Sequence, residues 1–266
     1  MRRISKCLKM RIFDSIVARY RNFKVKYWRF FPEGRHLASL RNIHKGRRCF
    51  IIGNGPSLRV EDLNRIAQNG DITFGFNRIY HIFDQTDWRP TYYLSQDYKT
   101  LTSSVEEINE NLSQIKYIPI ETKWYDGVRL TNARCFHIKD IRIGDKYGFS
   151  DDISRYVVAS NTVAYTAMQF AVYMGIKDIY LIGVDHHFQK SMNSSGEIVL
   201  DPNAKDYFVA NYANEKEDLY IPRLDLSTLT YISAKEYADA HGVNIFNATR
   251  GGKLEVFPRV DIDTLF

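Results

Sequence analysis

Cysteine is scarce: Cys7, Cys49 and Cys135 are odd in number and show no C-x-x-C spacing. That excludes a disulfide framework and a cysteine zinc site, and it points to a reducing compartment. Long apolar runs are lacking too, with none approaching the ~18 residues of a membrane-spanning helix. Basic residues keep interrupting the apolar ones at the N-terminus, with no h-region or small-residue cleavage site after them, so no secretory signal is read. A cytoplasmic protein is expected. Hydrophobic residues at 44% and charged residues at 26% match ordinary globular usage, which excludes a mostly disordered chain. At 266 residues, a single domain buries about three quarters of its unfolded surface and needs no staple.

Acidic residues are almost missing from one region. Residues 1–50 hold 15 Lys or Arg against Asp14 and Glu33, a balance of +13, whereas the remainder carries 22 basic and 29 acidic groups, or −7. The net charge of +6 therefore belongs to the arm and not to the body. Phe13, Tyr20, Phe23, Tyr27, Trp28, Phe30 and Phe31 are interleaved with these charges. Ile4, Leu8, Ile12 and Ile16 recur every four residues, a spacing that predicts a helix with a broad apolar face. A basic, aromatic-rich helix suits an anionic membrane surface, where each basic residue adds roughly 1 kcal/mol. RNA attraction and a solvated or oligomerising arm are the other readings. The acidic body argues against a nucleic-acid groove, so no nucleic-acid partner is expected. We place the arm at 1–46, with a break at Phe31-Pro32-Glu33-Gly34, and the body at 47–266.

The body alternates short apolar runs with helical spacing. Strands are expected at 48–52, 72–75, 91–94, 116–119, 178–182 and 243–246, and helices at 58–68, 102–114, 161–174 and 226–240. Ser160 or Asn161 can cap the third helix, and Gly175 ends it. Residues 186–224 lose periodicity, as a lid or insertion would. The pattern predicts an α/β fold: a Rossmann-like, mainly parallel sheet with helices on both faces, a lid insertion and a basic N-terminal helical arm.

Gly53-Asn54-Gly55-Pro56-Ser57-Leu58 sits between a predicted strand and a predicted helix, where ligands bind in such sheets. Glycines allow close backbone approach, and free N–H groups at a helix start attract phosphate. The run is neither G-x-G-x-x-G nor a Walker A loop, so dinucleotide binding is not expected. Pro56 and Ser57 would also suit any well-made helix start. Asp97 and Asp185 each end a strand, as carboxylates of a Mg-nucleotide site or as simple caps. His186 and His187 follow Asp185, and adjacent side chains on an extended segment diverge, which argues against one shared metal. The lid contributes Tyr207, Tyr212, Tyr220 and Arg223 as candidates for closing over a sugar phosphate. Arg250-Gly251-Gly252-Lys253 is a phosphate-binding turn or a plain one. His241 suits a helix dipole, while His36, His44, His81 and His137 show no partner in the sequence.

The run from Cys49 to Leu58 resembles the opening of two related groups. One is the MptE-like family, with archaeal 6-hydroxymethyl-7,8-dihydropterin pyrophosphokinase and the Maf flagellin glycosylation proteins. The other is the single-domain bacterial sialyltransferases that use CMP-sugars. The resemblance continues through Phe74-Gly75-Phe76-Asn77-Arg78-Ile79-Tyr80 and Pro90-Thr91-Tyr92-Tyr93. It is clearest from Thr162 to Asp185, ending in Ile179-Tyr180-Leu181-Ile182-Gly183-Val184-Asp185. It spans most of 47–250 and is specific for the superfamily, not for the reaction. It implies that Gly53, Asn54, Gly55, Ser57 and Asn77 hold a nucleotide, with Asn161 and Thr162 beside it. The sialyltransferases have a tyrosine at the position of His187 that steadies the departing phosphate, and their base histidine lies in the lid. The segment 189–224 has no histidine, so His186 or His187 takes the role of base, or the reaction differs. The leading expectation is a glycosyltransferase with a sugar nucleotide, CMP-linked by resemblance, as donor substrate. It would have no tightly bound cofactor and no metal, and would act on a lipid-linked or polysaccharide acceptor at the inner face of a membrane. Its catalytic candidates are His187, His186 and Asp185. The rivals are a pyrophosphokinase using MgATP through Asp97 and Asp185, and a non-catalytic nucleotide-binding scaffold.

Overall fold

The computed structural model describes residues 15–209, 212 and 220–266. Helix α1 covers 15–26 and α2 covers Pro32–Ser39. The body then runs β1 (Arg48–Ile52), α3 (Val60–Gln68), β2 (Ile72–Phe76), β3 (Tyr92–Leu94), α4 (Tyr98–Ser103), α5 (Val105–Asn111), β4 (Lys116–Pro119), α6 (Ile120–Tyr125) and β5 (Ala133–Phe136). Four two-residue strands follow: β6 (Ile138–Lys139), β7 (Arg142–Ile143), β8 (Lys146–Tyr147) and β9 (Val157–Val158). The chain ends with α7 (Val163–Tyr173), β10 (Asp178–Ile182), β11 (Lys190–Met192), β12 (Ile198–Leu200), α8 (Leu224–His241) and β13 (Asn244–Asn247).

Seven strands form one parallel sheet in the order β13-β10-β1-β2-β3-β4-β5. Parallel strands covered on both faces need continuous apolar runs, as Cys49-Phe50-Ile51-Ile52 supplies. Alternate side chains serve opposite layers. Cys49 and Ile51 pack with α7 residues such as Ala167 and Phe170. Phe50 and Ile52 pack with Leu63 and Ile66 of α3. From β1 the chain steps outward to β5, then returns to β10 on the other side of β1. The order reverses between β1 and β10, and in such sheets ligands bind outside the carboxyl ends of the strands at that point. The fold is the Rossmann-like α/β sheet read from the sequence.

Several expectations need correction. The helix expected at 102–114 is two short ones, α4 and α5, interrupted at Ser104. The edge strand β5 was not foreseen, and the segment 186–224 contains the hairpin β11–β12. Within the arm, Trp28 is 1% exposed and Leu37 is 0%, so both belong to the core. Helix α1 is tied down as well. Arg21 Nη2 donates to the Trp124 carbonyl at 2.8 Å, and Lys24 pairs with Glu33 at 3.5 Å. Ile16, Tyr20, Phe23, Tyr27 and Phe30 stay exposed, whereas Ile4, Leu8 and Ile12 lie outside the described residues. No helix among the described residues is long and apolar enough to cross a membrane.

Candidate active site

The turn after β1 and the end of β10 are pressed together. Gly53 N donates to Ile182 O at 2.8 Å and Gly55 N to Gly183 O at 2.9 Å. A Cβ on Gly53 would lie 2.2 Å from Gly183 O, and one on Gly55 would lie 1.9 Å from Asp185 Oδ2. These glycines are therefore needed so that two strand ends can touch. The expected phosphate cradle of free N–H groups is corrected at both positions, since each N–H is already spent on a carbonyl. Ser57 closes the contact, with Oγ donating to Asp185 Oδ2 at 2.7 Å and its N–H reaching the same oxygen at 3.4 Å. Burial pushes the Asp185 carboxyl above its ordinary range, and the Ser57 bonds act against that rise.

Asn54 spans β1 and β2, its Nδ2 donating to the Phe76 carbonyl at 3.1 Å. Its Oδ1 is buried without a hydrogen-bond partner, an acceptor that a ligand donor would satisfy. Asn77, at the end of β2, has φ +53, a left-handed backbone that asparagine tolerates better than most residues. Its Oδ1 accepts from Ser95 Oγ at 3.0 Å. Asn161 is exposed and accepts from the Tyr147 hydroxyl at 3.1 Å. Thr162 caps α7 through Ala164 N at 3.3 Å and touches the Tyr231 hydroxyl at 3.2 Å. Gly53, Asn54, Gly55, Ser57, Asn77 and Asp185 thus share the carboxyl ends of β1, β2 and β10. Thr162 reaches that edge through Tyr231, whose ring meets His186 edge-on at 5.7 Å, whereas Asn161 contacts Tyr147 and Ser227.

The two histidines part company, though by a different route from an extended strand: His186 has φ +53. Its Nε2 lies 2.8 Å from Thr228 Oγ1 of α8, and burial holds its imidazole below the ordinary value. His187 turns the other way. Its Nε2 is 2.8 Å from Asp201 Oδ2 and 3.0 Å from Lys253 Nζ. One nitrogen cannot donate to the carboxylate and accept from the ammonium at once, so the ring tautomer selects between the two contacts. With Nε2 protonated, Asp201 holds the ring and Nδ1 carries the lone pair. The His187 bond, followed by that from Asn203 N, holds Asp201 below the usual carboxylate range. Lys253 is anchored by its own N–H, which donates to Asp185 O at 2.7 Å.

The lid residues divide. Phe208 N donates to the Asn54 carbonyl at 3.1 Å, which seats this part of the lid on the β1 turn. Tyr207 and Tyr212 stack at 3.8 Å, and Tyr212 is buried. Its carbonyl accepts from Arg78 Nη1 at 2.6 Å. Arg78 was not singled out from the sequence, yet it is 1% exposed. It also donates to Ser104 Oγ at 3.1 Å and Ser103 Oγ at 3.3 Å. Tyr220 stays exposed and meets Tyr98 edge-on at 5.5 Å. Arg223 is paired with Asp225 at 2.6 Å.

The remaining candidates have structural partners. Asp97 caps α4, accepting from Thr100 N at 3.1 Å, so its carboxylate and that of Asp185 serve separate local contacts. No group of three or more His, Cys, Asp or Glu suited to a metal occurs among the described residues. Arg250 is fixed between Asp62 at 2.8 Å and Asp263 at 2.7 Å. His36 meets Tyr117 at 3.1 Å, His44 meets Tyr92 at 2.6 Å, and His137 meets Glu121 at 2.5 Å. The sequence alone did not identify these partners.

A comparison with curated proteins finds no match for this chain. Among solved structures, it is similar to the Maf glycosyltransferase from Magnetospirillum magneticum AMB-1, at 17% identity and a TM-score of 0.50. The likeness covers 88% of this chain and 38% of that protein, so this chain spans well under half of its length. At that identity the likeness establishes fold alone. The family model described as 6-hydroxymethylpterin diphosphokinase MptE-like matches residues 26–191, which take in β1 to β10, the β1 turn, Asp185 and both histidines. The chain belongs to the MptE-like family.

Proposed function

We propose that this protein is a glycosyltransferase that takes a sugar from a nucleotide donor, with CMP as the carrier, and passes it to a lipid-linked or polysaccharide acceptor. The observation that carries this reading is the His187–Asp201–Lys253 group beside the strand ends that bear Asn54, Ser57 and Asn77. Glycosyl transfer needs a base for the acceptor hydroxyl and positive charge for the leaving phosphate. In the proposed step, His187 Nδ1 takes the acceptor proton while the acceptor oxygen bonds to the anomeric carbon. The bond from that carbon to the phosphate oxygen breaks, its electron pair leaves with the nucleotide, and Lys253 balances the charge that develops. Asp201 steadies the imidazolium. His186 is less suited as base, because it is buried and tied to Thr228.

The donor would lie over Asn54, Ser57 and Asn77, with Asn54 Oδ1 as an available acceptor and Asn161 and Thr162 alongside. Tyr207 and Tyr212 would wall it from above, with Tyr220 and Arg223 farther out on the lid. The exposed aromatics and basic residues of α1 would keep the protein at the cytoplasmic surface of a membrane, where a lipid-linked acceptor resides. The proposed step draws on no metal, and Asp97 and Asp185 keep their contacts with Thr100 and Ser57. The test is release of CMP from a CMP-sialic acid donor by the full chain. Release that disappears in His187→Ala supports the reading, whereas a chain that leaves CMP-sugars intact and transfers diphosphate from MgATP to 6-hydroxymethylpterin contradicts it.

A further inference from the structure

Thr228, Ile232, Lys235 and Asp239 recur along one face of α8, at the three- and four-residue steps that align side chains on a helix. The adjacent face, with Tyr231, Ala234 and Ala238, is buried in the core. The first face instead borders an open groove of about 520 Å3, whose far wall is the segment from Lys253 to Val256. That volume falls within the ~300–1,000 Å3 of small-molecule sites. The groove runs up to His186 and Lys253. Since Lys253 Nζ contacts His187 at 3.0 Å, the groove ends beside the proposed base.

Its chemistry selects a ligand class. Ile232, 37% exposed, with the half-buried Val256 opposite, offers apolar surface for the C–H face of a sugar ring. Glu236, Asp239 and Glu255 offer carboxylate oxygens. Each is paired with a cation, Lys146, Lys235 and Arg259 respectively, which holds it in place while lone pairs remain for hydroxyl donors. Lys146, Lys235, Arg259 and Lys253 are balanced by Glu236, Asp239, Glu255 and, beside Lys253, Asp201, and His186 is kept neutral by its burial. The groove therefore carries no excess of positive charge for a phosphate, and the nucleotide has its place elsewhere.

We infer that the groove between α8 and residues 253–256 is the acceptor subsite and takes an uncharged saccharide. The inference rests on the glycosyltransferase reading and names the acceptor side of the same centre. The test is saturation-transfer NMR on the full chain with methyl glycosides of glucose, galactose, N-acetylglucosamine and N-acetylgalactosamine, using N-acetylneuraminic acid as the anionic comparison. At least one neutral glycoside is expected to give a signal that persists with CMP present and falls at least fivefold in Ile232→Glu. Glu236→Lys, at an exposed position, is the second variant and is expected to act alike. No signal from any neutral glycoside, an equal signal in both variants, displacement by CMP, or stronger binding of the anionic sugar would each overturn it. CMP binding by Ile232→Glu is read in parallel and is expected to match the wild type. Failure of CMP to bind the wild-type chain counts against the glycosyltransferase reading instead.

Discussion

Asp185 and Ser57 are 128 residues apart in sequence and 2.7 Å apart in space, a single hydrogen bond that joins the end of β10 to the turn after β1. It sits where the strand order reverses. Because Gly55 allows this approach, Gly55→Ala is expected to destabilise the protein by about 1–3 kcal/mol, the usual cost of forced overpacking. Ser57→Ala removes a bond to a buried carboxylate, at a cost of about 1.5–3 kcal/mol. Chemical denaturation measures both, and a loss below about 0.5 kcal/mol, the range of ordinary surface changes, would show that the two strand ends are not so coupled.

His187 and Asp201 make a kinetic prediction. His187→Ala is expected to lower kcat roughly 100- to 10,000-fold with the donor KM nearly unchanged, the pattern of a group that acts in the transition state. Asp201→Asn leaves the ring but weakens a charged hydrogen bond, for a loss of about tenfold or more. Steady-state assays of donor consumption decide this. A rise in KM at constant kcat would make His187 a binding residue.

Stability should depend on pH through His186. Its folded value is held below 6.5 by burial, so the unfolded chain binds the proton more readily. Stability is full above about pH 6.5 and is lost as pH falls through 6.5 toward the depressed folded value. His36 and His44 shift the same way, through burial first and then Arg134 and Arg47 respectively. In thermal melts between pH 8 and 5, His186→Gln is expected to show a shallower acid decline than the wild type. Identical slopes would contradict the assignment.

The arm makes a surface prediction. Arg19, Lys26 and Arg29 are exposed, whereas Arg21 and Lys24 are engaged with the body. Reversing the first three to Glu should weaken binding to phosphatidylserine-containing vesicles by about 1 kcal/mol or more per residue and leave the melting temperature within about 2 °C. Co-sedimentation at low and high salt reads this directly. Equal binding by the variant would remove the membrane role from this face.

What the sequence discloses and what it hides follow from range. The strands at 48–52, 72–76 and 178–182, and the helix ending at Gly175, were legible because parallel strands and a fully buried helix need continuous apolar runs. The edge strand Ala133-Arg134-Cys135-Phe136 mixes polar and apolar residues, as half-exposed strands do, and β11–β12 ends in the exposed Ile198-Val199-Leu200. Neither carries a periodic signal long enough to stand out. Site residues near one another in sequence were found, whereas the partners of His187 lie 14 and 66 residues away and no local pattern links them. Arg78 was hidden because a buried guanidinium and an exposed one look alike until the tertiary fold brings Tyr212, Ser103 and Ser104 around it. The glycines of the β1 turn were noticed for the right reason, close approach, but the approaching group is the end of β10.

The most direct measurement is calorimetric titration of the full chain with CMP and with ATP, each with and without magnesium, repeated with Asn54→Ala. The account predicts that CMP binds without metal and that Asn54→Ala weakens it by about 1 kcal/mol, the worth of one ordinary hydrogen bond. Binding of MgATP alone, with CMP silent, would contradict the nucleotide-sugar reading and transfer the site to diphosphate chemistry.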